Sequence, residues 1–447
     1  MVQLSSGSSV RGSIRAGFDT LAGRLVMSVV STVTPNAGAL GPEDGRTMAR
    51  AADAALRSRV PLVLSLDTSG ADIMGGVAAL DGWGHAARAI CRCSGIVPIL
   101  ALVSGRAISG PALMLGMADI VVMTAGATAY VSSPEAVVGV TGEVTNPETL
   151  GGSAVHAART GLSAMTVPDA RAGLELLGEL LAYLPDHVDV EPPVTACEDP
   201  PWRATPSLHA VVPTDPTIGY DVRDVLGEIV DHGHFVELRG SWAPQVVTGF
   251  ARLGGQPCGV VANQPSVMAG TLDIDGSRKG AAFVRMCDAF NLPLLTIVDT
   301  PGFLPGKDLE WRGMIRYGAE LAFAYCEATV PRVCLVLRKA YGGAYIVMDS
   351  KGIGNDLCFA WPCAEIAVMG AKGAMQILDR RGSADARREL EEQYASAFLT
   401  PWVGAARGFV DDVIDPADSR RRIVDAFAML MSKRDRVVDR KHDVGPL

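Results

Sequence analysis

Two long stretches of the chain repeat one arrangement of apolar and polar positions. An aliphatic run, Val60-Pro61-Leu62-Val63-Leu64-Ser65-Leu66, ends at Asp67-Thr68-Ser69-Gly70, and Leu292-Pro293-Leu294-Leu295-Thr296-Ile297-Val298 ends at Asp299-Thr300-Pro301-Gly302. A helical stretch follows each, then a second aliphatic run, Val97 to Val103 or Val330 to Val336, and then a small-residue turn at Ser109-Gly110 or Gly342-Gly343. The copies keep an offset of 232–233 residues throughout, which predicts an internal duplication. Near-continuous aliphatic runs predict strands buried on both faces and joined by helices, a parallel α/β architecture built twice. Between the copies, Pro192-Pro193, Pro200-Pro201, Pro206 and Pro213 deny the backbone both helical continuity and ladder donors. The resulting division is a first domain over 1–185, a Pro-rich linker over 186–216 and a second domain over 217–447.

Composition narrows the function more than the fold. The 447 residues, 48% hydrophobic and 20% charged, suffice for two buried cores. A net charge of −9 gives no broad cationic surface for nucleic acid or an anionic membrane. No apolar segment reaches membrane length and no leader pattern opens the chain, so a cytoplasmic protein is expected. Nine scattered cysteines, with only Cys91 and Cys93 close together, make a metal site unexpected.

In each copy the second aliphatic run ends in Gly or Ser just before a helix. Free backbone N–H groups then converge on one point, where they can stabilise an oxyanion. Close packing of helix on strand would explain either turn alone. Two such turns at equivalent positions suit a reaction in which two carbonyl groups gather negative charge, such as a thioester enolate and a biotin ureido oxygen.

The segment Arg338-Lys339-Ala340-Tyr341-Gly342-Gly343-Ala344-Tyr345 resembles the biotin-side signature of the carboxyltransferase (β) subunits of biotin-dependent acyl-CoA carboxylases, of the propionyl-CoA and acetyl-CoA carboxylase type. Val261-Ala262-Asn263-Gln264-Pro265, Ala269-Gly270-Thr271-Leu272-Asp273-Ile274-Asp275 and Asp299 to Gly306 carry the same resemblance. It runs almost without gaps from Tyr220 to Leu447, and more loosely over about 20–185. It implies tandem crotonase-like ββα-spiral domains related by pseudo-two-fold symmetry. It further implies carboxyl transfer from carboxybiotin to a short acyl-CoA, giving a malonyl- or methylmalonyl-type product. On the biotin side it points to Gly343 and Ala344 as donors to the ureido carbonyl, lined by Tyr341, Gly342, Asn263, Gln264 and Pro265. On the acyl side it points to the hole at Gly110 and Pro111, with Ser109, Gly70, Ala71, Ser132, Ser133 and Ile346 against the coenzyme A thioester. The biotin must come from a partner, a biotin carboxylase or biotin carboxyl carrier subunit, because Ala428-Met429-Leu430-Met431 lacks the lysine of an attachment site. A hexamer is the assembly implied.

The N-terminal copy departs from the family at several places. Asp72, Met74 and Gly75 stand where relatives carry Arg, Gln and Glu. Pro111 aligns with Ala344 and has no N–H to donate, although proline is well suited to a helix start. Ile346 replaces an Asp common in propionyl-selective relatives, which implies tolerance of acetyl as well as propionyl groups. Asp349, Glu135, His156 and Asp72 read as caps, ion-pair members or loop residues rather than catalysts. Other readings are the reverse reaction in a decarboxylase or transcarboxylase, an unusual or carrier-bound acceptor, a biotin-free crotonase-like hydratase, isomerase or hydrolase, and a non-catalytic scaffold.

Overall fold

The computed structural model describes residues 2–3, 12–34, 36–378 and 384–445. It forms two compact units: one runs to Pro193 and takes in Arg239–Trp242 and Ala289–Asn291, and the other holds the remaining segments.

The first unit is a mixed eight-stranded sheet. Its strands are β1 (Val2–Gln3), β2 (Ile14–Leu21), β3 (Arg24–Ser31), β4 (Leu62–Thr68), β5 (Ile99–Ile108), β6 (Ile120–Thr124), β7 (Thr128–Tyr130) and β8 (Met165–Val167). They lie in the order β1-β2-β3-β4-β5-β6-β8, with β7 paired to β5. The first pairs are antiparallel and everything from β3 onward is parallel. Helices α1 (Pro42–Ser58) and α2 (Gly76–Cys93) supply the crossovers β3-α1-β4 and β4-α2-β5. Proline opens α1, and the Asp44 carboxylate accepts the backbone N–H groups of Gly41 and Ile14 at 2.8 Å each, which fixes where the helix starts. Met48, Ala51, Ala52 and Ala55 then line the face turned to the core. Where α1 meets α2, Gly45 lies against the backbone of Gly82, so a Cβ on either would overlap main-chain atoms.

The second unit repeats this plan with β9 (Val236–Leu238), β10 (Val246–Leu253), β11 (Gln256–Asn263), β12 (Leu294–Thr300), β13 (Arg332–Tyr341), β14 (Leu357–Ala360), β15 (Glu365–Ala367) and β16 (Asp412–Val413). The order is β9-β10-β11-β12-β13-β14-β16, with β15 paired to β13, matching the first sheet strand for strand. The crossover helices are α4 (Ile274–Ala289) and α5 (Met314–Glu327). All seven residues of β12 are buried, as the aliphatic run predicts for a central parallel strand. The α/β expectation and the paired strand-helix-strand units hold in both units.

The equivalence reaches single hydrogen bonds. Leu40 N donates to Gly70 O (2.8 Å) and Asp72 N to Leu40 O (2.9 Å); Leu272 N donates to Gly302 O (3.1 Å) and Leu304 N to Leu272 O (2.8 Å). The residues leading into these contacts share left-handed φ values, 55° and 54° at Asn36 and Ala37 against 46° and 55° at Met268 and Ala269. Pro-rich 186–216 is held along its course. Asn291 Nδ2 donates to Val188 O in the first unit, while Thr195 N donates to Gly255 O and Thr205 N to Ala417 O in the second. Among the described residues no helix is long and apolar enough to cross a membrane.

Gly45→Ala should lower stability by about 1–3 kcal/mol, because the α1–α2 crossing must open to admit one methyl group. Gly84→Ala, on the same α2 with nothing within 4 Å of the new Cβ, should be neutral or stabilising by about 0.5–1 kcal/mol. Thermal unfolding midpoints of the two variants check the contrast.

Candidate functional site

Each central strand pair breaks step at an aspartate. Leu66 pairs with Val103 but Thr68 with Ala107, and Val298 pairs with Val336 but Thr300 with Ala340. The second strand therefore carries extra residues across each break, a bulge that turns its end outward. The Asp67 carboxylate fills the first gap by accepting Arg106 N at 3.0 Å, and Asp299 fills the second by accepting Lys339 N at 3.1 Å.

The two gaps differ in their side chains. Asp299 also accepts from Tyr220 Oη (3.0 Å) and Arg338 Nε (3.1 Å). Arg338 reaches on to the carbonyls of Pro213, Asp215 and Ile218, and Lys339 Nζ to Pro216 O. Burial pushes the Lys339 ammonium below its ordinary range, although Asp299 opposes this. Gly105 holds the corresponding place in the first unit, and a side chain there would run into the Asp67 carboxylate.

Beyond each bulge lies a turn into a short helix, α3 (Gly110–Leu113) or α6 (Gly342–Val347). Ser109 N donates to Tyr130 O at 2.9 Å. Its backbone, at φ 65° and ψ −142°, matches the φ of 60° at Gly342. This conformation is natural for glycine and strained for serine. The N–H groups of Gly110, and of Gly343 and Ala344, fall in first helical turns and have no intrahelical acceptor. Pro111 is buried and offers none.

On the second unit, Gly342, Gly343 and Ile346 line a largely apolar cavity of about 640 Å³, walled also by Ile366, Val368, Tyr394 and Phe398. Ile346 is 43% exposed. Tyr341 donates its hydroxyl to Glu365 and is raised above its ordinary pKa, by burial first and by that carboxylate second. Asn263, Gln264 and Pro265, at and just after the end of β11, are buried and do not line that cavity. Asn263 donates to Gly270 O and accepts from Asp299 N, and Gln264 donates to Asp221 and accepts from Val222 N, so both amides are engaged inside the protein.

On the first unit, Gly70 lies against the end of β5, 3.1 Å from Ile108 O to where its Cβ would be, and Ala71 bridges to Leu40. Ser132 is exposed, and Ser133 caps Ala136 N at 3.3 Å. Both follow Tyr130, whose carbonyl holds Ser109. The polar side chains expected to be structural have local partners: Asp349 pairs with Arg332 at 2.9 Å, His156 sits between Ala129 O and Thr160 Oγ1, and Asp72 caps Met74 N. Glu135 lies exposed in the first turn of Pro134–Thr141. Trp83 was not singled out by sequence, yet its indole lies directly against Gly110, with Nε1 the nearest atom to a Cβ built there.

A family model described as carboxyl transferase domain matches residues 3–444. The chain is 40% identical over 442 residues to the methylmalonyl-CoA decarboxylase subunit alpha of Propionigenium modestum, spanning 97% of this chain and 86% of that one. It is 41% identical over 434 residues to the methylmalonyl-CoA carboxyltransferase 12S subunit of Propionibacterium freudenreichii subsp. shermanii, with 95% and 82% covered. It is 39% identical over 434 residues to the propionyl-CoA carboxylase beta chain of Roseobacter denitrificans, with 96% and 85% covered. A crystal structure of transcarboxylase 12S, describing its hexamer assembly with methylmalonyl-coenzyme A and methylmalonic acid bound, matches with a TM-score of 0.95 at 40% identity, over 97% of this chain and 85% of that one.

Ser109→Gly should relieve the strained turn and raise stability by about 1 kcal/mol, whereas Ser109→Ala should not. A rise in the thermal midpoint for the glycine variant alone checks this.

Proposed function

Because the chain belongs to the carboxyl transferase domain family, we propose that it moves a carboxyl group from biotin carried by a partner subunit to the α-carbon of a short acyl-CoA, giving a malonyl- or methylmalonyl-type product. The observation that carries this reading is the pair of equivalent turns at the ends of bulged parallel strands, presenting the backbone N–H of Gly110 in the first unit and those of Gly343 and Ala344 in the second.

The second unit takes the biotin side. A bicyclic ureido ring fits a cradle that is bare of side chains at Gly342 and Gly343 and opens on the cavity of about 640 Å³. Carboxybiotin supplies the carboxyl group and, relieved of it, a basic nitrogen. Gly343 and Ala344 N–H groups polarise the ureido oxygen, Tyr341 and its Glu365 partner brace the turn, and Asn263, Gln264 and Pro265 hold the wall behind it. The first unit takes the acyl side: Gly110 N–H holds the thioester oxygen, with Ser109, Gly70, Ala71, Ser132 and Ser133 around it. Charge is stabilised by donors fixed in place before reaction, so little reorganisation is needed. No side-chain base of this chain is required, consistent with the local engagement of Asp349, His156 and Asp72.

The division of labour corresponds to an acyl-side domain over 1–185 and a biotin-side domain over 217–447, joined through 186–216. By likeness to the transcarboxylase 12S hexamer, the chain assembles as a hexamer in the cytoplasm with biotin carboxylase and biotin carrier subunits. The apolar Ile346 in the cavity wall admits both acetyl and propionyl acceptors.

Labelled bicarbonate, ATP, a biotinylated carrier, a biotin carboxylase and a panel of acyl-CoAs should place label on acetyl- or propionyl-CoA. Absence of label, with the partners verified on a known β subunit, rejects the reading. Ile346→Asp should shift the kcat/KM ratio toward propionyl-CoA by about tenfold, a difference of about 1.4 kcal/mol; an unchanged ratio removes Ile346 from specificity.

A further inference from the structure

The first unit lacks one backbone donor, and a side-chain donor stands beside the gap. At the turn in the second unit, Gly343 and Ala344 both carry an N–H, and the atoms nearest a Cβ on Gly343 are ring carbons of Phe303 at 3.6 and 4.0 Å. Phe303 bridges to Leu272 as Ala71 bridges to Leu40, so the equivalent residue in the first unit is alanine. The space that a phenyl ring covers in one unit is left open by Ala71 in the other. Trp83 fills it, presenting the pyrrole edge of its indole to Gly110 with Nε1 foremost. Trp83 is half-buried, and no described residue accepts a hydrogen bond from its Nε1.

The placement of Trp83 is not loose. It follows Gly82 in α2, where a Cβ would lie 2.7 Å from Pro42 O, so the helix is pinned against α1 one residue away. Ala79, Ala86 and Ala87, on neighbouring turns of α2, are buried.

We propose that the indole N–H of Trp83 is the second donor to the thioester oxygen at the acyl-side turn, in place of the backbone N–H that Pro111 lacks. The assignment rests on the carboxyltransferase reading and makes Trp83 a catalytic residue by direct contact with the substrate carbonyl. An oxyanion held by one donor alone costs roughly 10²–10³ in rate, and the indole recovers part of that loss.

The test is a double-mutant cycle of Trp83→Phe and Pro111→Ala in the full chain, assayed for label transfer to acyl-CoA with the partner subunits. Trp83→Phe keeps an aromatic ring and removes the N–H. It should lower kcat by 10-fold or more with KM within about threefold. Pro111→Ala alone should raise kcat, and by a smaller factor than in the Trp83→Phe background, where it should recover at least tenfold by restoring a backbone donor. Binding of a dethia acyl-CoA analogue that retains the carbonyl, followed by calorimetry, shows whether each variant still holds a folded acyl site. Trp83→Phe within twofold of the parent overturns the assignment. So does a loss in Trp83→Phe that Pro111→Ala leaves unrepaired while the analogue still binds, because the ring rather than its N–H would then be what matters. A parent chain that neither binds the analogue nor transfers label overturns the carboxyltransferase reading and the indole assignment with it.

Discussion

At the end of each central strand a carboxylate takes the place of a backbone partner. Asp67 and Asp299 accept the N–H of Arg106 and Lys339 across the register breaks. Without that acceptor, each bulge would leave an amide buried and unpaired, at a cost of about 1–3 kcal/mol. With it, the second strand turns out of the sheet and its next residues become the donor-bearing turns at Ser109-Gly110 and Gly342-Gly343. The position of each turn thus depends on one side chain on the neighbouring strand, rather than on the turn residues themselves.

This dependence explains how the first unit can carry Ser109 and Pro111 where the second has Gly342 and Ala344. The turn keeps its path because Asp67 and the Tyr130 carbonyl hold it on both sides. Proline costs the helix start nothing, since an N–H there has no acceptor within the helix. The units also differ in how much charge they bury. Asp299, Arg338, Lys339 and Tyr220 form a buried network in the second, while the first has a partly exposed Arg106 beside Asp67. A buried network of this kind adds less to stability than to uniqueness of arrangement, because any member left alone is penalised heavily.

Much of the plan was legible in the sequence because the two aliphatic runs and their Asp-Thr-x-Gly endings are written in residue types that repeat. The earlier part of the duplication was not, since Asn36-Ala37-Gly38-Ala39-Leu40 and Met268-Ala269-Gly270-Thr271-Leu272 share only Ala-Gly and Leu. What those segments have in common is a pair of left-handed backbones and two hydrogen bonds, which composition does not encode. Asn263 and Gln264 drew notice as polar residues in a signature, yet their amides face inward, a distinction that needs coordinates. Trp83 gave no periodic or motif signal; its place beside Gly110 comes from a helix crossing set by two glycines far from each other in sequence.

The lacing of Arg338 and Lys339 to the carbonyls of Pro213, Asp215, Pro216 and Ile218 bears on how the chain is made. Synthesis delivers those carbonyls more than a hundred residues before either cation, so the acceptors are waiting when β13 emerges. The Pro-rich stretch therefore takes part in the folding of the second unit. A fragment begun at residue 217 would bring β13 into a sheet whose two cations have lost three of their four carbonyl acceptors, whereas one begun at Val194, where the second compact unit starts, would carry its own.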